Sequence, residues 1–345
     1  RIHMAKKICI LALITILFSL SSPWIDPATA SLPNGNRLKD PYAILRNSLP
    51  IEQKELRELQ NKLEDTSEDL RGGRWSAISK ATSRSQFLVS NRKNEILESM
   101  PEENKEKAVN LLAKLKQDLD ELGQIANEKN KVSFFEVRRQ SLKNIDDLES
   151  LLITNKFPYE IPSVYDNLPR LLGRANVEIK TSKGNMSAII DGYNAPLTAG
   201  AFIDLSLKGF YDGLPINRAE EFFILQTGDP KGEEIGYVNP ENNELRKVPL
   251  EIRTPNSEDT LYEQTFEEVG LYTETPILPF ATLGTLGWAH SDSDLNDGSS
   301  QFFFFLYEAE LNPAGRNLID GRNAAFGYVI EGSEILNKLG VDDKI

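Results

Sequence analysis

The sequence predicts an α-plus-β chain in two parts: an N-terminal antiparallel helical bundle, then a closed antiparallel β-barrel capped by two helices. Three observations lead there. Residues 51–150 hold 38 charged side chains and a single proline, Pro101, whereas 155–345 hold twelve prolines and most of the aromatics. In the first block leucines recur at spacings of three and four, the period of one helix face. In the second, short apolar runs lie between glycine and proline breaks, as in sheets of many short strands.

Before the bundle, Met4 opens what reads as an export signal. Lys6 and Lys7 form its positive end, 8–20 its apolar core of 13 residues, and Ala28, Thr29 and Ala30 its cleavage pattern. That core falls short of the roughly 20 residues a spanning helix needs. Cleavage is therefore preferred to a retained anchor, and no stable membrane insertion is expected afterwards. The expected division is 1–30 signal, 31–155 bundle, 156–173 proline-rich strap and 174–345 barrel. Cys9, the one cysteine, lies inside the signal, and beyond the signal His290 is the one histidine. Zinc sites of His and Cys, histidine-based triads and cysteine nucleophiles are excluded, and neither metal nor other cofactor is expected. Without 1–30 the chain has 36 basic and 51 acidic side chains, net −15. Such a field disfavours nucleic acid and anionic membranes as partners and reads mainly as a solubility device.

Within the bundle, Leu56, Leu59, Leu63 and Leu70 form the first stripe, which Gly72 and Gly73 end. A second helix is expected over 75–100. Pro101 suits the first position of a third helix, with Ala108, Leu111, Leu112, Leu115, Leu119, Leu122 and Ile125 on one face. Ser133 and Glu136 resemble a capping box that opens a fourth helix, striped by Val137, Ile145, Leu148 and Leu152. Short links favour an antiparallel bundle over a coiled-coil oligomer, because no heptad persists across the breaks. The strap carries Pro158, Pro162 and Pro169 with Phe157, Tyr159, Ile161 and Tyr165, so an extended, packed segment is expected. Strands follow at 175–181, 186–191, 215–218, 223–227, 284–289, 301–306 and 326–330, with helices at 196–208 and 333–339.

Two segments do not alternate as surface strands should. In the first, Arg218 and Gln226 bracket Phe222, Phe223, Ile224 and Leu225 at a spacing of eight; in the second, Gln301 enters a run of four phenylalanines, 302–305. Alternation places Phe303 and Phe305 opposite Phe302 and Phe304. Together the segments resemble the two walls of the proline pocket in the cyclophilins, the peptidyl-prolyl cis-trans isomerases. The stretch from Asp191 to Phe202 is similar to the approach to their first helix, and the likeness covers roughly 174–340. The whole set is specific; any single piece is weak.

The resemblance implies a cyclophilin-like barrel and a pocket of Arg218, Phe223 and Gln226 as catalytic groups, with Ile224, Ala289, His290, Gln301, Phe303, Leu318, Ile319 and Asn323 binding substrate. Arg218 would be the donor to the prolyl nitrogen, and the glutamines would hold the substrate backbone. The competing reading has the glutamines pairing loop backbone and the phenylalanines serving as plain core. Ile224, Leu318 and Asn323 depart from the usual methionine, tryptophan and histidine, and Glu220 and Glu221 replace the usual proline and glycine. Reduced isomerase activity is the expectation, and a peptide clamp with vestigial catalysis is the alternative. The signal, acidic helical domain, strap and divergent barrel together resemble the large thylakoid-lumen cyclophilins of plants and their cyanobacterial relatives. That likeness implies a thylakoid-lumen or periplasmic address, proline-containing segments of exported or membrane proteins as partners, a link to photosystem II, and a helical domain that restrains or docks on the cyclophilin domain. No strand is expected after the second barrel helix, so the expectation is a sequence truncated at its C-terminus, in preference to a barrel with an open edge.

Overall fold

The computed structural model describes residues 39–254, 259–308 and 319–345. The expected signal and Leu318 lie outside them. A short helix α1 (Pro41–Asn47) is followed by α2 (Lys54–Gly72), α3 (Trp75–Asn91), α4 (Lys93–Glu98), α5 (Lys105–Glu128) and α6 (Lys131–Leu151). The long helices neighbour one another in a ring, α2 on α3, α3 on α5, α5 on α6 and α6 on α2. Leu56, Leu59, Leu63, Leu115, Leu119, Leu122, Phe134, Ile145 and Leu148 are wholly buried at its centre. Gly73 ends α2 at φ +65°, the left-handed cap that glycine allows.

Three expectations shift in detail. The helix expected over 75–100 breaks at Arg92 into α3 and α4. Pro101 precedes a 3-10 turn, Glu102–Asn104, and not the first turn of α5 itself. The cap of α6 is Asn130, whose side chain accepts from the Ser133 N–H at 3.1 Å. Ser133 is thus already inside the helix, and the capping box does not form.

Among the bundle's buried groups, Glu149 is wholly buried, and neither carboxylate oxygen has a hydrogen-bond partner among the described residues. Burial, with the like charges of Asp146 and Glu64 and against the attraction of Arg57 and Arg46, pushes its carboxyl up to about 8. The folded chain therefore holds a proton that the unfolded chain releases between the ordinary carboxylate range and pH 8. Stability from this group is full below that window and falls as pH rises through it. Thermal melts should show parent Tm dropping from pH 5.5 to 8.5, with a shallower drop in Glu149→Gln; parallel curves would refute this.

The second part holds β1 (Arg174–Thr181), β2 (Gly184–Asp191), α7 (Pro196–Leu207), β3 (Arg218–Glu220), β4 (Ile224–Thr227), β5 (Val238–Asn239), β6 (Glu244–Leu245), β7 (Glu251–Arg253), β8 (Thr260–Tyr262), β9 (Thr285–Trp288), β10 (Phe302–Phe305) and β11 (Ala325–Glu331). Seven strands form one sheet in the order β1-β2-β11-β9-β10-β4-β3, and the pairs β5–β6 and β7–β8 stand apart as hairpins. Every ladder is antiparallel. Where the sequence suggested a closed barrel, the sheet among the described residues has two ends, β1 and β3. Residues 342–345 follow the last turn and bond near both. Ser182 N–H donates to Lys344 O at 3.0 Å, and Ile216 N–H to Asp343 O at 2.7 Å. The strand expected over 215–218 is an isolated antiparallel bridge at Pro215, to Lys344, and β3 itself begins at Arg218. The helix expected over 333–339 is a 3-10 segment, Ser333–Lys338.

Helix α7 lies on one face of the sheet. Pro196 suits its first turn, and the buried Glu251 carboxylate accepts from Leu197 N–H (3.1 Å), Thr198 N–H (3.0 Å) and Thr198 Oγ1 (3.0 Å). Those bonds satisfy the helix start in place of a local cap. The strap crosses α7 at Gly200, where a Cβ would stand 2.4 Å from the Arg170 Cα. Tyr165 rests 5.4 Å from Tyr262, and Tyr159 covers the Arg253 guanidinium.

Helix α1 was not among the expected elements. Its Ile44 and Leu45 belong to the buried core of the strand-rich part, while its Arg46 bonds Glu64 at 2.9 Å and Asp146 at 3.3 Å in the bundle. Arg174 of β1 donates to Leu45 O at 2.7 Å, and Asn194 to Ser48 O at 2.9 Å.

Candidate active site

Strands β3 and β4 form a hairpin whose turn closes with Phe223 N–H donating to Glu220 O at 3.0 Å. The central residues of the turn are therefore Glu221 and Phe222. Where the sequence suggests Glu220 and Glu221 in place of the usual proline and glycine, the position with glycine-type geometry is Phe222, at φ +61°, and Glu220 is the last residue of β3. The half-exposed Phe222 ring turns outward while Phe223 turns inward.

Register then builds one row of side chains across four strands. Arg218 pairs with Gln226, Gln226 with Phe303, and Phe303 with Gly287. Cross-strand partners share a face, so these four stand together, with Glu220, Ile224 and Phe305 one step along. The alternate residues Leu225, Phe302 and Phe304 face α7, where Phe302 meets Phe202 edge-on at 5.0 Å. The phenylalanine run thus divides by alternation: two rings serve the core under α7 and two serve the other face.

On that other face the floor is apolar and closed. Phe303 stacks on Phe280 at 5.7 Å and 14°, and Phe305 meets Phe280 edge-on at 5.7 Å and Phe223 at 6.4 Å. Gly287 makes room for this: a Cβ there would stand 2.3 Å from Phe303 Cζ and 2.7 Å from Phe280 Cε1. The rim is polar. Gln301 Oε1 accepts from Gln226 Nε2 at 2.8 Å and from Asn217 Nδ2 at 3.2 Å, while its own Nε2 donates to Ile235 O at 3.2 Å. The competing view of Gln301 as a partner of loop backbone is therefore what its amide does here, alongside its bond to Gln226. Arg218 is about half exposed, and both its Nε (2.8 Å) and Nη2 donate to Glu220 Oε1.

The remaining candidates gather where β9 ends. Ala289 N–H donates to Gln301 O at 3.0 Å, extending the β9–β10 ladder by one step. His290 Nε2 contacts Arg322 O at 2.9 Å, and Asn323 Nδ2 donates to Trp288 O at 3.3 Å. Ile319 O accepts from the N–H groups of Arg322 and Asn323, so 319–323 forms a turn pinned to β9. Arg218, Gln226, Gln301 and Phe303 come together as one group; Ala289, His290, Ile319 and Asn323 form a second beside it.

Sequence reasoning missed Phe280 and Gly287, and it noted Glu220 only as a departure from the family pattern and not as a partner of Arg218. Gly287 had a signal, since a glycine inside a strand marks close approach of another group. Glu220 had one too, since residues two apart on a strand share a face. Phe280 had none: it arrives from a long connection whose course depends on tertiary packing.

Comparison with known proteins settles the family. Residues 176–344 match the family model for cyclophilin-type peptidyl-prolyl cis-trans isomerases, and residues 40–153 match the PsbQ-like domain of CYP38-like isomerases. The chain belongs to the CYP38-like cyclophilins. It is 41% identical to a putative thylakoid lumen peptidyl-prolyl cis-trans isomerase of Synechocystis, sll0408, over 97% of this chain and 91% of that protein. It is 35% identical to the chloroplastic CYP38 of Arabidopsis thaliana, covering 93% of this chain and 76% of the relative, and 31% identical to the chloroplastic CYP37 of the same plant, covering 95% and 73%. This membership makes the chain a peptidyl-prolyl isomerase by family and proline-containing peptides its substrate class.

Proposed function

We propose that this cyclophilin catalyses prolyl isomerisation in the thylakoid lumen on segments of exported or membrane proteins, and in doing so assists photosystem II assembly and maintenance. The observation that carries the reading is the row Arg218–Gln226–Phe303, with a charged donor, an amide and an apolar floor on one face of one sheet. The reaction needs no cofactor. Partial double-bond character of the C–N bond sets a barrier of about 18–20 kcal/mol, and whatever weakens conjugation at the prolyl nitrogen lowers it. Arg218 donates to that nitrogen as the bond twists. Phe303, with Phe223, Ile224 and Ile319, holds the pyrrolidine ring, while Gln226 and Gln301 hold the flanking peptide. Ala289, His290 and Asn323 line the groove beyond. The sheet acts as a barrel that the 342–345 tail helps to close, and the helical domain docks on the cyclophilin domain through α1.

The second reading is a peptide clamp with vestigial catalysis, favoured by the Arg218–Glu220 pair. An isomerisation assay on a prolyl tetrapeptide separates the two. Acceleration above the uncatalysed rate supports the enzyme, and saturable peptide binding without acceleration supports the clamp.

A further inference from the structure

We infer that Glu220 is a positioning residue for Arg218, a carboxylate that restrains the guanidinium and lowers its effect on the prolyl nitrogen. This rests on Arg218 being the donor. Three observations carry it. Arg218 and Glu220 are two apart on β3, hence on one face, and two N–H groups of the guanidinium converge on the single oxygen Glu220 Oε1. The arginine side chain is thereby drawn along its own strand toward the turn. Across the ladder from it, the Gln226 amide is itself held in the rim, its Nε2 donating to Gln301 Oε1 at 2.8 Å. Finally, the backbone of Glu220 is fixed, because its carbonyl closes the turn with Phe223 and its strand position pairs with Ile224.

The chemistry follows from charge. A guanidinium has five N–H donors and cannot be deprotonated. With two donors and much of its field spent on a carboxylate, less positive potential reaches a lone pair forming on a twisted prolyl nitrogen. The pair is open to solvent, with Arg218 and Glu220 side chains 49% and 45% exposed, so its effect is modest. Releasing the arginine should raise kcat about two- to five-fold, the range of exposed ion pairs, with KM little changed.

The test compares full-chain parent, Glu220→Gln, Glu220→Ala, Arg218→Ala and the double variant Arg218→Ala/Glu220→Gln in the prolyl tetrapeptide assay. The expected result is a higher kcat in both Glu220 variants and no gain when Arg218 is absent. An unchanged or lower kcat in the Glu220 variants of an active chain would overturn the restraint. If Arg218→Ala leaves turnover unaltered, the donor assignment fails instead, and the Arg218 Nε–H signal in nitrogen-15 NMR then decides the contact on its own. Slow exchange in the parent that collapses in Glu220→Gln supports restraint; equal signals in both refute it.

Discussion

Arg218→Ala is expected to lower kcat for prolyl isomerisation by about 10²–10³-fold, the usual cost of removing one preorganised donor from a developing charge. The loss should fall on kcat and leave KM nearly alone. In the planar ground state the prolyl nitrogen has no free lone pair, so the donor acts only as the bond twists. Arg218→Lys should recover little, because an ammonium on a flexible stem lacks the planar fork. The floor made by Phe303, Phe280 and Phe305 does not involve Arg218 and should still bind peptide. A variant that turns over like the parent would remove Arg218 from the reaction.

Arg46→Ala is expected to destabilise the fold by about 3–5 kcal/mol, the cost of leaving a buried charge without its partner. Arg46 is 5% exposed and Glu64 is 3% exposed. Their 2.9 Å bond, with the 3.3 Å bond to Asp146, ties α1 to α2 and α6. Once Arg46 is gone, the hydrogen bond left to the Glu64 carboxylate among the described residues is from the Asn47 amide at 3.2 Å. The effect should spread, because Ile44 and Leu45 on the same short helix are buried in the strand-rich core. Denaturant unfolding should show the loss, and hydrogen exchange should show residues 41–48 opening first. The double variant Arg46→Met/Glu64→Leu should regain most of it, since buried pairs are often replaceable by apolar residues. A loss under 1 kcal/mol would mean that the pair does not hold α1.

How much of this was legible depends on the range of the interactions. The stripes of α2, α5 and α6 were largely readable because burial repeats with the helix period; Leu111, Val137 and Leu152 are only partly buried, however, and the buried Leu142 was not in the expected stripe. Alternation sorted 302–305 correctly into two faces, because a strand's period is a local property. The cap of α6 was misread because Asn130, three residues earlier, accepts the Ser133 N–H and starts the helix sooner. Helix α1 carried a local signal in Asp40 followed by Pro41, whose side chain and ring suit a helix start. Seven residues are too few to show a stripe, and the partners that hold it, Arg174 and Asn194, lie more than a hundred positions away. At the site, Arg218, Gln226, Gln301 and Phe303 were found from motif likeness, and register explains why they meet. Phe280 and the Ile216–Asp343 contact depend on chain segments that meet only after folding.

The central claim is that the row Arg218–Gln226–Phe303 is where proline sits. The most direct measurement is a crystal structure of the full chain with a bound prolyl peptide. The expected result places the pyrrolidine ring on Phe303, its nitrogen toward Arg218 and the adjoining backbone on Gln226 or Gln301. A peptide bound elsewhere, with that row uncovered, would contradict the account.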